Sequence, residues 1–553
     1  MTEPIRPTAS NPISAAAESL REFLGRFRAT SWLIGGPEGA VSHTLRQGLL
    51  ASLMIMVGSW GVGYLVMAPS SWLAVNPALV PLRTTTGGVV TCAVLLAIGA
   101  LLLLRSWLRL AQRVSSWDAS SVSVMRRAVF MWGAPLLLCF PIFSQDVFSY
   151  WAQGGLLHAQ QNPYEAGVSG LPGWFAVGAD EQWAESPSPY GPLFLVFAQG
   201  VWFLSQGIPE VAVLAFRMLA VLGVALMLVV IPLLARTFGS QPGWALWLCL
   251  LNPLSLIVFI PAAHNDALMI GLILTGVWYA VRGRRLAAVL LLVGAVAIKP
   301  IAMVVLPFVV LLTLKDTSSY LLRLREWAFA TLIAVLLLGG GGWLLGVGVG
   351  WFTAALGAGS AILQGAPIGL AGLGIGHAAE ALSGVNAETV ASWVYAAARI
   401  GSAVVLGVLL LWPRLGNPVL WAGYGLTAVV LASSIIQPWY LLWVLPLFAV
   451  VHVYRGRALV GVILLLTVLT LLPMIGQLSV AQWMDTLLVQ AIVIAVAALY
   501  LIYIMFFDPN TTTLFSVKRV SQRWNAAQGW QSLKELPKPQ TSWAAENIYQ
   551  KAR

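Results

Sequence analysis

Charged residues are scarce in this chain, because Asp, Glu, Lys and Arg together make up only 9% of its 553 residues. Ordinary soluble domains carry about 25% charged residues, so the composition excludes a soluble globular enzyme. Apolar residues account for 59% of the chain, and a membrane-spanning helix needs ~20 of them in succession. The composition therefore predicts an all-α polytopic membrane protein.

Cysteine is also rare, and Cys92, Cys139 and Cys249 all lie inside apolar runs. This placement predicts buried thiols, with no disulfide framework and no cysteine metal site. The first 46 residues are polar and of mixed charge, so we expect no cleavable signal peptide. The net charge of +11 does not indicate a nucleic-acid partner, because the cations form short clusters between apolar runs, as in loops that face anionic membrane lipids.

Lys and Arg are absent from residue 128 to residue 216. Several carboxylates fall in the same stretch, among them Asp146, Glu165, Asp180, Glu181 and Glu185. A long acidic loop without cations is typical of the non-cytoplasmic side of a membrane. With this loop outside, all but four of the 31 Lys and Arg residues lie inside. The exceptions are Arg83, Arg217, Lys299 and Arg399. We therefore expect cytoplasmic N- and C-termini and an extracytoplasmic site, in a multi-pass protein of the plasma membrane.

Apolar runs predict about 14 transmembrane helices (13 to 15). Their expected bounds are 47–67, 87–104, 128–143, 212–234, 243–260, 267–281, 286–298, 301–314, 327–349, 393–412, 418–435, 440–453, 458–475 and 485–506. The run 191–206 is marginal in length, and a crossing there would place the basic loop 282–285 outside. We therefore expect it to lie in the outer interface.

The predicted first outer loop, 144–211, carries two interfacial helices near 146–159 and 192–205, joined by a connector rich in Pro and Gly. The full division is a cytoplasmic tail 1–46, two accessory helices 47–127, a core 128–350, C-terminal helices 351–506 with a second outer loop 350–392, and a basic tail 507–553. The Gly- and Ala-rich second loop could be flexible or re-entrant. No internal duplication is evident, which weighs against transporters built from inverted repeats.

Asp146 directly follows an apolar span, so its carboxylate lies at the outer membrane boundary and is well placed to take a proton from a hydroxyl. Other polar residues reach the same level. They are Arg217, His264, Asn265, Asp266, Lys299, Arg399, Gln437, Trp439 and Tyr440. Buried charges in apolar segments are costly without partners, which makes this group a candidate site.

Each candidate also has a structural explanation. Asp146 could cap the helix that follows it, and Lys299 could extend to the interface as an amphipathic side chain. Arg217 could pair with Glu210. His264 and Asp266 could cap their own helix. No spacing is typical of a dedicated metal site, although Asp146, His264 and Asp266 could form one if the fold brings them together.

Motifs in this region resemble those of a known family. They are Ser-Gln-Asp-Val-Phe-Ser-Tyr at 144–150, Asn-Pro-Tyr at 162–164, Tyr-Gly-Pro-Leu at 190–193, His-Asn-Asp at 264–266, Lys-Pro at 299–300 and Gln-Pro-Trp-Tyr at 437–440. In this order and sidedness they resemble the GT-C glycosyltransferases, and within them the actinobacterial polyprenol-phosphomannose-dependent alpha-(1→6)-mannosyltransferases of lipomannan synthesis. The resemblance covers about residues 128–450. The chain departs from it at Gln145, which replaces one of two adjacent acids and makes a metal role less expected.

The resemblance implies an inverting hexosyltransferase with the GT-C fold and no cofactor. Its donor would be polyprenyl-phosphate mannose and its acceptor a lipid-anchored mannan in the membrane. Asp146 would act as the catalytic base. The implied donor-phosphate ligands are Lys299, Arg217, His264 and Arg399. The implied sugar and acceptor contacts are Asp266, Asn265, Tyr150, Tyr190, Gln437, Trp439 and Tyr440.

Three alternatives stay open at this point. A sibling GT-C enzyme could transfer arabinose or glucose, because no residue identifies the sugar. A transporter or lipid flippase would use intramembrane charges as a substrate path, whereas the polar groups here gather at the outer ends of the spans. A membrane scaffold without catalytic activity is the third.

Overall fold

The computed structural model describes residues 41–66, 68–114, 119–314, 319–357, 366–411, 417–454, 456–479 and 485–515. Within these ranges the regular secondary structure is helical and there is no β-strand. The prediction of an all-α membrane protein is therefore confirmed. Most of both predicted tails lies outside the described residues, as do Lys315, Arg414 and Arg455.

The N-terminal half forms eleven α-helices among the described residues. They are α1 (Val41–Val62), α2 (Val80–Thr84), α3 (Thr86–Arg113), α4 (Ala119–Leu136), α5 (Asp146–His158), α6 (Pro192–Ser205), α7 (Pro209–Phe238), α8 (Pro242–Cys249), α9 (Pro253–Phe259), α10 (Asp266–Val281) and α11 (Arg285–Ile298). Three short 3₁₀ turns, Val168–Gly170, Trp174–Val177 and Glu181–Trp183, shape the connector between α5 and α6.

The C-terminal half continues with α12 (Leu306–Val309), α13 (Tyr320–Ala334), α14 (Gly340–Leu344), α15 (Gly350–Gly357), α16 (Pro367–Ser383), α17 (Ala387–Leu411), α18 (Pro418–Ala432), α19 (Tyr440–Ala449), α20 (Gly456–Ser479), α21 (Thr486–Ile502) and α22 (Thr512–Phe515). Two 3₁₀ segments, Pro300–Val304 and Val310–Thr313, flank α12. Single π-helical turns at Val335–Gly339 and Tyr503–Phe507 follow α13 and α21.

Seven described helical segments are long and apolar enough to cross a membrane, or eight when the bent pair α8–α9 counts as one span. Two of the seven, Tyr320–Leu344 and Thr486–Phe507, run through the π-helical turns that follow α13 and α21. Shorter apolar helices, among them α10 and α11, accompany them. The total of about 14 spans therefore stays a prediction.

Proline placement explains several helix starts. Helices α6, α7, α8, α9, α16 and α18 each begin with Pro at the first helical position, where the missing N–H is not needed. Asn252 additionally caps α9, because its side chain accepts a hydrogen bond of 2.9 Å from the Ser255 N–H. The break between α8 and α9 bends this predicted span by 59°.

Helix α3 is tied into the bundle by two buried contacts. Trp107 and Trp247 stack with centroids 4.8 Å apart, and each indole N–H donates to the other residue's backbone carbonyl. Arg105 forms a buried ion pair with Asp508, at 2.5 Å between Nε and Oδ2. The accessory helices thus pack as part of the bundle.

Several helices differ from their predicted spans. The second span, predicted over 87–104, is helical from Thr86 to Arg113. The third span, predicted over 128–143, is helical from Ala119 to Leu136, because a helix can extend past the apolar layer with Arg126 and Arg127 on its exposed end. The span predicted over 243–260 keeps these limits within one residue but is divided into α8 and α9 by a bend. The predicted loop 350–392 contains α15 and α16, and α16 packs against α17 through close contacts at Gly372 and Gly376.

The two predicted loop helices form as α5 and α6, with the second at the predicted bounds of 192–205. They pack against each other, and the Trp151 indole donates 3.0 Å to Ser205 Oγ. Close packing also joins α7 to α10. A Cβ at Gly223 would lie 2.2 Å from the Ala267 carbonyl, so glycine allows these backbones to approach.

Candidate active site

The candidate residues meet at one end of the bundle, where four helices terminate. Asp146 is the first residue of α5, Asp266 is the first residue of α10, and Lys299 is the residue after α11. Tyr440 begins α19. The alternating direction of the chain therefore brings residues 146, 266, 299 and 440 to the same level, as the sequence-based topology predicts.

His264 lies between the two carboxylates. Its Nδ1 is 3.6 Å from Asp146 Oδ2 and 3.4 Å from Asp266 Oδ2. The His264 and Asp266 side chains are fully buried, whereas the Asp146 side chain is 12% exposed. Asp146 is thus the carboxylate of this cluster that a substrate can reach.

Asp146 does not cap its own helix. Gln145 is the residue before α5, and the Asp146 N–H donates 3.1 Å to Ser144 Oγ. Among the described residues the nearest polar partner of the Asp146 carboxylate is His264.

Lys299 provides the positive charge of the cluster. Its Nζ lies 2.8 Å from Asp266 Oδ1, and the Trp443 indole N–H donates to the same oxygen. The ammonium also lies over the rings of Tyr190 and Trp443, 5.6 and 5.1 Å from their centroids. An ammonium has three donors, so pairing with Asp266 leaves donors for a second anion.

Aromatic rings form the walls of the cluster. The Trp439 ring lies 4.3 Å from the His264 ring, and Tyr440 stacks on Trp443 at 4.0 Å. Tyr150 packs edge to face with Tyr190 at 5.1 Å. Such surfaces present apolar faces with polar tips, which suits a site that binds a hydroxylated ligand.

Two non-glycine residues near the cluster adopt left-handed backbone conformations. They are Phe143, with φ 68°, and Ala263, with φ 56°. Phe143 lies three residues before Asp146, and Ala263 directly precedes His264. This region is uncommon for residues with a Cβ, and such strain is typical of functional sites. Gln477 on α20 stabilises the backbone at Phe143, because its side-chain oxygen accepts a hydrogen bond of 2.7 Å from the Phe143 N–H.

Arg217 directs its guanidinium at backbone carbonyls. Its donors reach Ile260 O at 2.9 Å, Leu137 O at 2.7 Å and Pro261 O at 2.9 Å. Glu210, the alternative partner from sequence, instead accepts from Ser71 Oγ and the Leu73 N–H. Arg217 therefore joins the segments that lead to Asp146 and to His264, and its described contacts do not favour the predicted phosphate role.

We expect Arg217→Gln to lower the melting temperature of the detergent-solubilised protein and the folded yield, because each charge-assisted hydrogen bond contributes about 1.5–3 kcal/mol. Turnover per folded molecule should stay within about threefold of wild type. The exposed Arg127→Gln variant, which also loses one cation, is the control. An unchanged melting temperature with a raised donor KM would instead assign Arg217 to the phosphate.

The connector between α5 and α6 supports Tyr190. The Tyr164 hydroxyl donates 2.8 Å to the Tyr190 carbonyl, and Gly191 N–H donates 3.1 Å to Ile298 O beside Lys299. A Cβ at Gly191 would lie 2.4 Å from the Ala297 carbonyl. Glycine is required there for the connector to approach α11.

Asp180, also in the connector, lies close enough to the cluster to sense its charge. Burial raises the pKa of the Asp180 carboxyl above its usual range, and the negative charge of Asp146 adds to this, while the Gln182 N–H opposes it. The Asp180 backbone N–H donates 3.2 Å to Ser149 Oγ on α5. The connector thus packs over the catalytic end of α5.

Several buried polar atoms of the cluster lack a partner among the described residues. They include His264 Nε2 and both side-chain polar atoms of Asn265. Buried polar groups are nearly always satisfied, so these atoms are candidates for contacts with a bound ligand. Within the described ranges, no group of His, Cys, Asp and Glu has the arrangement of a metal site.

Two predicted residues lie apart from these contacts. Arg399 is exposed on α17, and Gln437 is half-buried in the turn before α19.

The sequence analysis missed two residues of the site, Trp443 and Gln477. Trp443 follows Trp439 by one helical turn, and Gln477 is a lone amide in an apolar span. Both signals were available in the sequence.

An all-helical bundle with a buried cluster of two carboxylates, a histidine and a lysine, walled by aromatic rings, has the make-up of an integral-membrane glycosyltransferase. Comparison with known proteins identifies the family. Residues 45–315 match the family described as alpha-(1->6)-mannopyranosyltransferase, N-terminal domain. The chain belongs to the alpha-(1->6)-mannopyranosyltransferase family, which confirms the resemblance inferred from its motifs.

Individual relatives agree with this assignment. The chain is 32% identical over 371 residues to alpha-(1->6)-mannopyranosyltransferase A of Mycobacterium tuberculosis, covering 65% of this chain and 68% of that protein. A second alpha-(1->6)-mannopyranosyltransferase of that organism is 27% identical over 476 residues, covering 74% and 79%. Alpha-(1->6)-mannopyranosyltransferase A of Corynebacterium glutamicum is 31% identical over 231 residues, covering 40% and 47%. No solved structure matches the chain.

Proposed function

We propose that this protein transfers mannose from polyprenyl-phosphate mannose to a lipid-anchored mannan, forming an alpha-(1→6) linkage in lipomannan synthesis. The observation that carries the proposal is the partly accessible Asp146 carboxylate beside the buried His264–Asp266–Lys299 group. The names of the relatives support the sugar and the linkage.

The proposed reaction needs a base and an anion site. The acceptor hydroxyl attacks C1 of mannose, the C1–oxygen bond to the phosphate breaks, and polyprenyl phosphate leaves with the bonding electrons. Asp146 takes the hydroxyl proton, a contribution worth about 10²–10⁴-fold in rate. Lys299 stabilises the charge that builds on the leaving phosphate. Direct displacement turns a beta-linked donor into an alpha product.

The remaining cluster residues position these two. His264 fixes the Asp146 carboxylate from its buried side, and Asp266 orients both His264 and Lys299. Asn265 offers unpaired polar atoms to sugar hydroxyls, and Tyr150 lies in the same cluster as a further sugar contact. Tyr190, Trp439 and Tyr440 offer ring faces.

Sidedness is also part of the proposal. We place the cluster and helices α5 and α6 on the extracytoplasmic side of the plasma membrane, with both termini in the cytoplasm. The distribution of Lys and Arg supports this orientation, since the basic turn 282–285 between α10 and α11 lies at the helix ends opposite the cluster.

Donor selection tests the proposal. Purified protein should transfer radiolabel from polyprenyl-phosphate mannose to the mannan acceptor, and at least about tenfold more slowly from polyprenyl-phosphate arabinose. Preference for arabinose would replace the proposal with the sibling-enzyme alternative. No transfer from either donor, together with movement of labelled lipid between leaflets, would favour a flippase.

A further inference from the structure

A second feature lies at the end of the bundle opposite the active site. Helices α4 and α7 border an open cleft of about 400 Å³. Arg126 of α4 and Arg236 of α7 line it together with Ser123. No residue of the proposed reaction takes part in it.

The length of α7 separates this cleft from the catalytic cluster. Arg217 contacts the carbonyls beside the cluster, and Arg236 follows it by 19 positions on the same helix. At 1.5 Å per residue this is about 28 Å along the helix axis, close to the ~30 Å thickness of the hydrocarbon layer. The cleft therefore lies at the opposite membrane surface.

Among the described residues, no carboxylate balances the charges of the cleft. Arg105 pairs with Asp508 and Arg285 pairs with Glu326, whereas neither Arg126 nor Arg236 has an ion-pair partner among the described residues. Both are exposed, and no carboxylate of the described residues lines the cleft. Two guanidinium groups that share one cleft repel each other unless an anion lies between them.

The rest of the lining is apolar. Val229, Pro232 and Leu233 lie on the same stretch of α7 as Arg236, and Val229 is 54% exposed. A basic end beside an exposed apolar wall fits an amphiphile with an anionic head. A soluble anion would leave the apolar wall uncovered.

We propose that this cleft binds an anionic phospholipid of the cytoplasmic leaflet. The phosphate lies between Arg126 and Arg236, and an acyl chain follows Val229 and Leu233. Basic pockets between transmembrane helices on this side of the membrane are known to suit anionic head groups. The lipid would join α4, which leads to Asp146, to α7, which carries Arg217.

The test uses the full-length purified protein and native mass spectrometry of lipid adducts. Phosphatidylglycerol should bind at least about tenfold more tightly than phosphatidylcholine. The double variant Arg126→Gln/Arg236→Gln should lose this preference, and Arg126→Lys/Arg236→Lys should keep most of it. The matched control Arg127→Gln/Arg284→Gln removes two exposed cations outside the cleft and should bind like wild type.

Three results would overturn the proposal. Equal loss in the cleft variant and the control would indicate only a diffuse basic surface. Full competition by glycerol phosphate or inorganic phosphate would indicate a site for a soluble anion. Undiminished phosphatidylglycerol preference in a folded glutamine variant, checked by gel filtration, would place the lipid elsewhere.

Discussion

Asp146→Asn is expected to lower kcat for mannosyl transfer by about 10²–10⁴-fold, because the amide keeps the shape of the carboxylate but cannot accept the acceptor's proton. Donor binding should change by less than about threefold, since the proposed phosphate ligand is Lys299. The measurement is transfer of radiolabelled mannose at matched folded protein, with donor affinity determined separately.

Glu185→Gln is the control for Asp146→Asn, because it also replaces a carboxylate by an amide and lies at an exposed position of the connector between α5 and α6. It should transfer mannose at the wild-type rate. Wild-type activity in Asp146→Asn would remove Asp146 from the chemistry and direct attention to Asp266. Loss of donor binding in the same variant would indicate a site that has rearranged.

The second large expected effect is the loss of stability when either member of the Lys299–Asp266 ion pair is replaced. Lys299→Gln leaves a buried carboxylate without its cation, and Asp266→Asn leaves Lys299 without its anion. Breaking a buried pair from one side costs about 3–5 kcal/mol, so each single variant should melt at a lower temperature. The double variant Lys299→Gln/Asp266→Asn should recover most of this loss.

The double variant should recover stability but not catalytic activity. We expect at least about a hundredfold loss of kcat/KM in both Lys299→Gln and the double variant, because each lacks the charge that stabilises the leaving phosphate. The ion pair between Arg285 and the buried Glu326, at 2.6 Å, provides the control. Its double glutamine variant should leave the donor KM unchanged. A fully active Lys299→Gln/Asp266→Asn variant would make the pair purely structural.

The sequence predicted which residues lie at the same end of the helix bundle, but it did not predict the contacts between their side chains. Sidedness alone brings Asp146, Asp266 and Lys299 to one surface, because cations outside the cytoplasm are few and the chain reverses with each span. The Lys299–Asp266 bond and its second donor Trp443 depend on side-chain packing between α10, α11 and α19, which no pattern in the sequence specifies.

The partners of Arg217 show more clearly what the sequence could not predict. A lone arginine near an apolar span predicts an anionic partner, yet the structure satisfies it with three carbonyls from residues 137, 260 and 261. Those carbonyls are free because α4 ends at Leu136 and α9 ends at Phe259. Such tertiary satisfaction of helix ends follows from the fold.

Helix bounds were predictable where a helix-breaking residue coincided with a change between apolar and polar sequence. Helix α6 starts at Pro192 after Gly191 and ends before Gln206, so its predicted limits hold. For the stretch 350–392 the sequence left open whether the predicted outer loop is flexible or re-entrant. In the fold, Gly372 and Gly376 instead let α16 approach α17.

The most direct test of the account is the stereochemistry of the product formed by the purified protein. Polyprenyl-phosphate mannose with a beta linkage and a ¹³C label at C1 would be supplied with the lipid-anchored mannan, and the new linkage analysed by NMR. The account predicts one alpha-(1→6)-linked mannose per turnover and release of polyprenyl phosphate, since direct displacement inverts C1. A beta-linked product, or no mannosyl product from folded protein, would contradict it.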